Sequence, residues 1–268
     1  MAAIKNITSK DNPVVKALRA LAVDARETRR QGRTLIDGPH LVAAYRQRLG
    51  APQMLVVNDA AACNEEIQGL LADLPEVQTL RLPDGLFREV SGVATPVGIL
   101  AVIAVPEPPT GPVAGSCVVL DAVQDAGNVG AILRTAAAAG IGSVVLGPGC
   151  AGAWTPRVLR AAQGAHFALA IREQIDLAGM LNAYGGRSVA TVARDGRSLY
   201  SLDLSGPIAW IFGNEGAGVS AGLVAAASHR ATIPLATETE SLNVAAAAAI
   251  CLFEGVRQRV LGERKRDV

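Results

Sequence analysis

The chain has 268 residues with 25 Lys and Arg against 24 Asp and Glu; half of it is hydrophobic, its mean hydropathy is +0.30, and only 3% is aromatic. That is apolar material for one large domain or two ordinary ones, and Gly, Pro or charge cuts every apolar run short of the roughly 20 residues a membrane span needs. Cys63, Cys117, Cys150 and Cys251 are widely spaced without a CxxC pair, which argues against a metal centre or a disulfide framework and for reduced cytoplasmic thiols.

The opening MAAIKNITSKDN carries Lys and Asp where a secretory signal needs an apolar core. Asn12-Pro13 starts a helical pattern whose apolar face is Val14, Val15, Leu18, Leu21 and Ala22, with Lys16, Arg19 and Arg26 elsewhere. Residues 1–50 hold ten Lys or Arg against four Asp or Glu, a local excess that suits a phosphate backbone but equally a solvated helix surface. Short strands are expected at 34–36, 54–57, 77–82 and 97–105, with helices at 39–49 and 60–71, making a small α/β unit. VPEPPTGPVAGS, with four prolines, can continue neither strand nor helix, so a boundary falls there. The chain then divides into 1–105, a linker at 106–116, and 117–268.

Beyond the linker, strands are expected at 117–120, 144–146, 167–171, 187–192 and 208–212. Helices are expected at 128–139, 155–162, 176–183 and 220–227. Continuous apolar strands alternating with helices imply a parallel sheet covered on both faces. Three stretches share one grammar, an apolar strand, a loop of Gly or small polar residues, then a helix: LDAVQDAGNVGAILRTAAAAG, WIFGNEGAGVS and IPLATETESLNVAAAAAI. Such loops present backbone groups to a small ligand at the carboxyl ends of parallel strands. In the first, Asn128 is expected to cap the helix, Gly130 to leave its first turn open, and Arg134 to lie near that mouth, able to reach a phosphate or ribose. In the second, Gly213 is expected to let a ligand approach the backbone. In the third, Ser241 reads as a helix cap, and the Ala-rich run after it permits close backbone packing.

Together these motifs resemble the SpoU/TrmH branch of the SPOUT RNA methyltransferases, over about the last 150 residues and more loosely before them. SKDNPVVKALRALA and LIDGPHLV are similar to the start of the L30e-like RNA-binding domain that precedes the catalytic domain in that family, with Asp37 where the family usually has Glu. Asp125-Ala126 replaces the usual Asp-Pro, and Leu235 and Thr237 replace Met and Gly. The resemblance implies a C-terminal trefoil-knotted α/β domain that binds S-adenosylmethionine and methylates a ribose 2′-hydroxyl of ribosomal (23S) RNA, with transfer RNA as the alternative substrate. It implies catalytic roles for Asn128, Arg134, Glu215, Ser241 and Asn243, and cofactor binding by Thr191, Gly213, Asn214, Gly216, Ile233, Leu235, Ser241 and Leu242. No metal is implied. It further implies a homodimer through the C-terminal domain, one subunit contacting RNA while the other completes the site. His166 and His229 are read as structural, and His40 as a helix-start residue packed on its neighbours, with contact to RNA as the alternative. A non-catalytic RNA-binding protein on the same fold, and a nucleotide-dependent oxidoreductase, are the competing classes; the intact motif residues oppose the former, and the lack of a Gly-rich dinucleotide fingerprint opposes the latter.

Overall fold

A computed structural model describes residues 4–236 and 240–264. They group into two compact units: the chain up to Glu107 together with Trp154–Phe167, and Pro108–Ala153 together with the chain from Ala168 onward.

In the first unit the order is β1 (Lys5–Asn6), α1 (Pro13–Val23), α2 (Ala25–Gln31), β2 (Arg33–Asp37), α3 (Pro39–Leu49), β3 (Met54–Val57), α4 (Glu65–Asp73), β4 (Thr79–Arg81), α5 (Asp84–Ser91) and β5 (Ile99–Ala104). The five strands form a mixed sheet in the order β1-β4-β3-β5-β2. Asn12 starts α1 as expected, its side chain accepting from the Val14 N–H at 2.9 Å. The helix stops at Asp24, which turns the chain and caps α2 through the Arg26 N–H. The helix expected over 60–71 is likewise divided: a 3-10 turn over Asp59–Cys63 ends at Asn64, whose side chain caps α4 at the Ile67 N–H. The core joins Val15, Leu18 and Leu21 of α1 to Phe87 and Val90 of α5 and to Leu35, Val56, Leu80 and Leu100 of the sheet. His40 is exposed rather than packed at its helix start, with Nδ1 3.2 Å from Glu66.

The second unit comprises β6 (Cys117–Asp121), α6 (Ala126–Ala138), β7 (Ser143–Leu146), β8 (Ala170–Arg172), α8 (Leu177–Ala183), β9 (Arg187–Thr191), β10 (Arg197–Ser198), β11 (Ile208–Gly213), α9 (Ala221–Ala226), β12 (His229–Thr232) and α10 (Val244–Arg264). The remaining helix, α7 (Pro156–Ala162), belongs to the first unit. There the Thr34 hydroxyl donates to the Trp154 carbonyl at 2.6 Å, Arg160 pairs with Asp37, and Phe167 meets Tyr45 edge to face. The strand expected over 167–171 starts later, at Ala170, because Gln163 and Gly164 take left-handed backbone and a 3-10 turn occupies Ala165–Ala168.

All seven strands of the second sheet run parallel, in the order β10-β12-β9-β11-β6-β7-β8. β11 is buried along its whole length. Its alternation sends Ala209 and Ile211 to a core with Leu177, Leu181 and Leu223 of α8 and α9, whereas Trp210 turns the other way, toward Gly255 of α10. The sheet is therefore covered on both faces. From β6 the chain builds outward through β7 and β8, then crosses to place β9 and β11 on the other side. The carboxyl ends of β6 and β11 thus flank the point where the direction of winding reverses, which is where open parallel sheets bind ligands.

Candidate active site

A cleft of about 550 Å³ opens at those strand ends. Its floor is the loop after β11. Asn214 and Gly218 exchange two backbone hydrogen bonds of 3.0 and 2.9 Å, and the Asn214 side-chain oxygen accepts from the N–H groups of Gly216 and Ala217. The Asn214 amide nitrogen donates to the Ala122 carbonyl at 2.9 Å. Both ends of this side chain are thus committed to shaping the loop and tying it to the end of β6, where Ala122 takes a left-handed φ of 53°. Gly213 is demanded by the loop itself: a Cβ there would lie 2.1 Å from the backbone of Gly218 and Val219. Packing within the chain thus demands a glycine here on its own account, in addition to any approach of a ligand to the backbone.

The loop delivers Glu215 to the start of α6. Its carboxylate accepts from the Gln124 N–H at 3.3 Å, the Asp125 N–H at 3.1 Å and the Asn128 side-chain amide at 3.0 Å. Partial burial pushes this carboxyl up, but the bonds from Asn128, from its own backbone N–H and from Asp125 and Gln124 outweigh that and hold it below the usual value. Asn128 is not the cap of α6. Asp125 caps it, accepting from the Asn128 N–H at 2.8 Å, which leaves the Asn128 side chain free to bridge. Its amide oxygen accepts from the Asn243 side chain at 2.9 Å. Asn243 in turn caps α10 through the N–H groups of Ala245 and Ala246, a role expected of Ser241. One donor-to-acceptor chain, from Asn243 through Asn128 to Glu215, therefore joins the three motifs.

Of the expected site residues, Thr191, Gly213, Asn214, Glu215, Gly216, Ile233, Leu235, Ser241, Leu242 and Asn243 line the cleft. Asn128 supports it through the bridge. Arg134 does not line it: it is exposed on α6, about 9 Å along the helix axis from Asn128, and makes no ion pair among the described residues. Gly130 is buried rather than open to the cleft. Thr237 lies outside the described residues. Val192, Ala193, Val219 and Ala231, which also form walls, were not anticipated, nor was Asp121, whose carboxylate accepts from the Ser220 N–H at 2.7 Å. Only the capping position of Asp125, three residues before Asn128, carried a readable signal. The Thr191 hydroxyl donates to the Ile211 carbonyl at 2.9 Å, locking the ends of β9 and β11 together.

The cleft combines an apolar wall of Ile233, Leu235, Leu242 and Val219 with the Glu215 carboxylate and the carboxamides of Asn214 and Asn243. Its volume and chemistry suit a mononucleoside with a polar, charged tail. Among the described residues no group of three or more His, Cys, Asp and Glu could hold a metal ion, and no helix is long and apolar enough to cross a membrane.

Residues 115–253 match the model of the SpoU rRNA methylase family, and the chain belongs to that family. It is 34% identical over 252 residues to the 23S rRNA (guanosine(2553)-2′-O)-methyltransferase RlmP of Bacillus subtilis, covering 93% of this chain and 98% of that one. It is 38% identical over 146 residues to the 23S rRNA (guanosine-2′-O-)-methyltransferase RlmB of Xylella fastidiosa, covering 53% and 59% of the two chains. The fold matches the crystal structure of an AdoMet-bound rRNA methyltransferase from Sinorhizobium meliloti with a TM-score of 0.82 and 28% identity, over 95% of this chain and 98% of that chain.

Proposed function

We propose that this protein transfers a methyl group from S-adenosylmethionine to a ribose 2′-hydroxyl of 23S ribosomal RNA in the cytoplasm. The observation that carries the reading is the convergence of three sequence-distant loops on one cleft, held in register by Asn243, Asn128 and Glu215. Ile233, Leu235 and Leu242 would receive the adenine and ribose, with Gly213, Gly216 and Ser241 contributing backbone around them. When bound, the cofactor supplies an activated methyl on a sulfonium sulfur. The chain's own task is to hold the nucleophile in line and ease loss of its proton. A guanidinium is a poor proton acceptor in proteins, so the role of Arg134 is to grip the target phosphate and stabilise the developing alkoxide electrostatically. The first unit would hold the RNA. Lys16, Arg19, Arg30 and Arg46 are paired with carboxylates, which leaves exposed Lys5, Lys10, Arg26, Arg29, Arg33 and Arg48 of the first fifty residues as its cations for phosphate.

The functional unit is a homodimer built on α10, where Phe253, Val260 and Leu261 are 48%, 43% and 44% exposed. Arg134, outside the cleft of its own chain, serves that of the second protomer. The same reading has the C-terminal segment pass through a loop of the chain as a trefoil knot, in keeping with the bond between Asn243 and Asn128. Calorimetry with S-adenosylmethionine and a map of ribose methylation in total RNA, with and without the gene, test the proposal. Arg134→Ala is expected to bind cofactor within about twofold of wild type and to lose at least about a hundredfold in methylation, the scale of removing one transition-state contact. Absence of cofactor binding refutes the transferase reading, and a lost mark in transfer RNA alone moves the substrate there.

A further inference from the structure

The second unit contains another cavity, of about 420 Å³, that shares no lining residue with the cleft. One wall is the proline-rich stretch 108–113 and the other is α8 with the end of β8. Pro108, Pro109 and Pro112 restrict the backbone of that stretch, and the Tyr184 hydroxyl at the end of α8 donates to the Gly115 carbonyl at 2.5 Å, which pins the stretch beyond the prolines. The surfaces are mainly apolar, with Val113, Ile175 and Met180 facing the space.

Arg172, the last residue of β8, is the exception. Its Nη1 is buried and has no hydrogen-bond partner, and the side chain makes no ion pair among the described residues. A guanidinium cannot escape by losing its proton, and a buried donor without an acceptor is costly. The neighbouring groups do not relieve it. Glu173 accepts from the Ala153 N–H at 2.7 Å. Burial pushes the Cys117 thiol up to about 12, with the Arg172 charge pulling the other way, so the thiol stays neutral and supplies no counter-charge.

We propose that this cavity is a binding site for a small amphipathic monocarboxylate, its carboxylate on Arg172 and its aliphatic or aromatic body between the proline stretch and Met180. A planar carboxylate matches the guanidinium fork. Beyond Arg172 the only side-chain donors in the lining are the Thr110 hydroxyl and the Tyr184 hydroxyl, the latter committed to Gly115, fewer than a doubly charged phosphate requires, and the volume is that of an ordinary small-ligand pocket.

The chain has three methionines, Met1, Met54 and Met180, so methyl-labelled methionine reports on this cavity with Met54 of β3 as internal control. Titration of the full-length protein with 4-phenylbutyrate is expected to move the Met180 resonance saturably and leave Met54 in place. The neutral 4-phenylbutyramide is expected to bind at least about tenfold more weakly. Arg172→Leu should remove that preference by weakening the acid at least about tenfold, and Arg172→Lys should fall between. The proposal is overturned if Met180 does not respond at several millimolar acid, about the weak end of measurable affinity. Equal binding of acid and amide, or unchanged acid binding in Arg172→Leu, overturns it as well. Inorganic phosphate displacing the acid at equal concentration overturns the choice of a carboxylate. The cofactor affinity of each variant, measured alongside, separates failure here from failure of the cleft.

Discussion

A carboxylate that accepts from Gln124, Asp125 and Asn128 at once is selected for its charge, and Glu215 occupies that position between two motifs. Glu215→Gln keeps the shape but turns an amide toward a ring of donors. Hydrogen bonds to a charged group contribute about 1.5–3 kcal/mol each, so cofactor affinity should fall at least about tenfold by calorimetry. The pH dependence has a definite sign. Because the folded carboxyl lies below its usual value, its contribution is complete above the ordinary carboxylate range and is lost as pH falls from there through the lower folded value. Thermal unfolding followed across acid pH should show this loss in wild type and not in Glu215→Gln. That Glu215 and Asn243 line the cleft was legible through the resemblance their motifs carry. Their bonding was not: which amide caps a helix and which one bridges depends on atoms from segments more than eighty residues apart, as in the Asn128–Glu215 contact.

The loop between β11 and α9 separates two glycines that look alike in sequence. Gly213→Ala would drive a Cβ into backbone that cannot move without opening the loop, whereas a Cβ on Gly216 meets nothing nearer than the Asn214 oxygen at 3.6 Å. Gly213→Ala should therefore destabilise by about 1–3 kcal/mol, the cost of overpacking, and abolish cofactor binding, while Gly216→Ala should change the melting temperature little. The start of α10 offers a matching contrast. Asn243→Asp keeps an oxygen for the N–H groups of Ala245 and Ala246 but loses the donor to Asn128. It should melt like wild type and methylate poorly, and Asn243→Ala should also lose about 0.5–2 kcal/mol of cap. The buried strand β11 was readable from its unbroken apolar run. The short strand β12, His229–Thr232, was not, because its polar residues become a strand only through pairing with β9 and β10. α5 was missed although Gly92, with φ 66°, marks its end, and the strand expected from Phe167 failed because that ring packs against Tyr45 instead.

For the molecule as a whole, the alternation of apolar strands and helices was sufficient to anticipate a parallel sheet with two covered faces. The strand order was not accessible, since it depends on which strand the chain returns beside after β8, and periodicity is silent about that. Oligomeric state is a further step outward. The inner face of α10 is bound to its own chain: Gln258 bridges Leu202 and Leu204, and Arg259 donates to the Ala139 carbonyl. Phe253 and Val260, seven residues apart and so on one line of the helix, are left exposed. Phe253→Glu with Val260→Glu should yield a folded monomer by light scattering, still able to bind cofactor but inactive on RNA. If Arg134 acts on the neighbouring cleft, two inactive variants should complement each other. In a mixture of Arg134→Ala and Asn243→Ala chains, half of randomly assembled dimers are mixed, and each mixed dimer has one intact Asn243 cleft facing one intact Arg134. Activity should then recover to about a quarter of wild type after unfolding and joint refolding. An arginine serving its own cleft predicts no recovery, because every site in every dimer would then lack one group or the other.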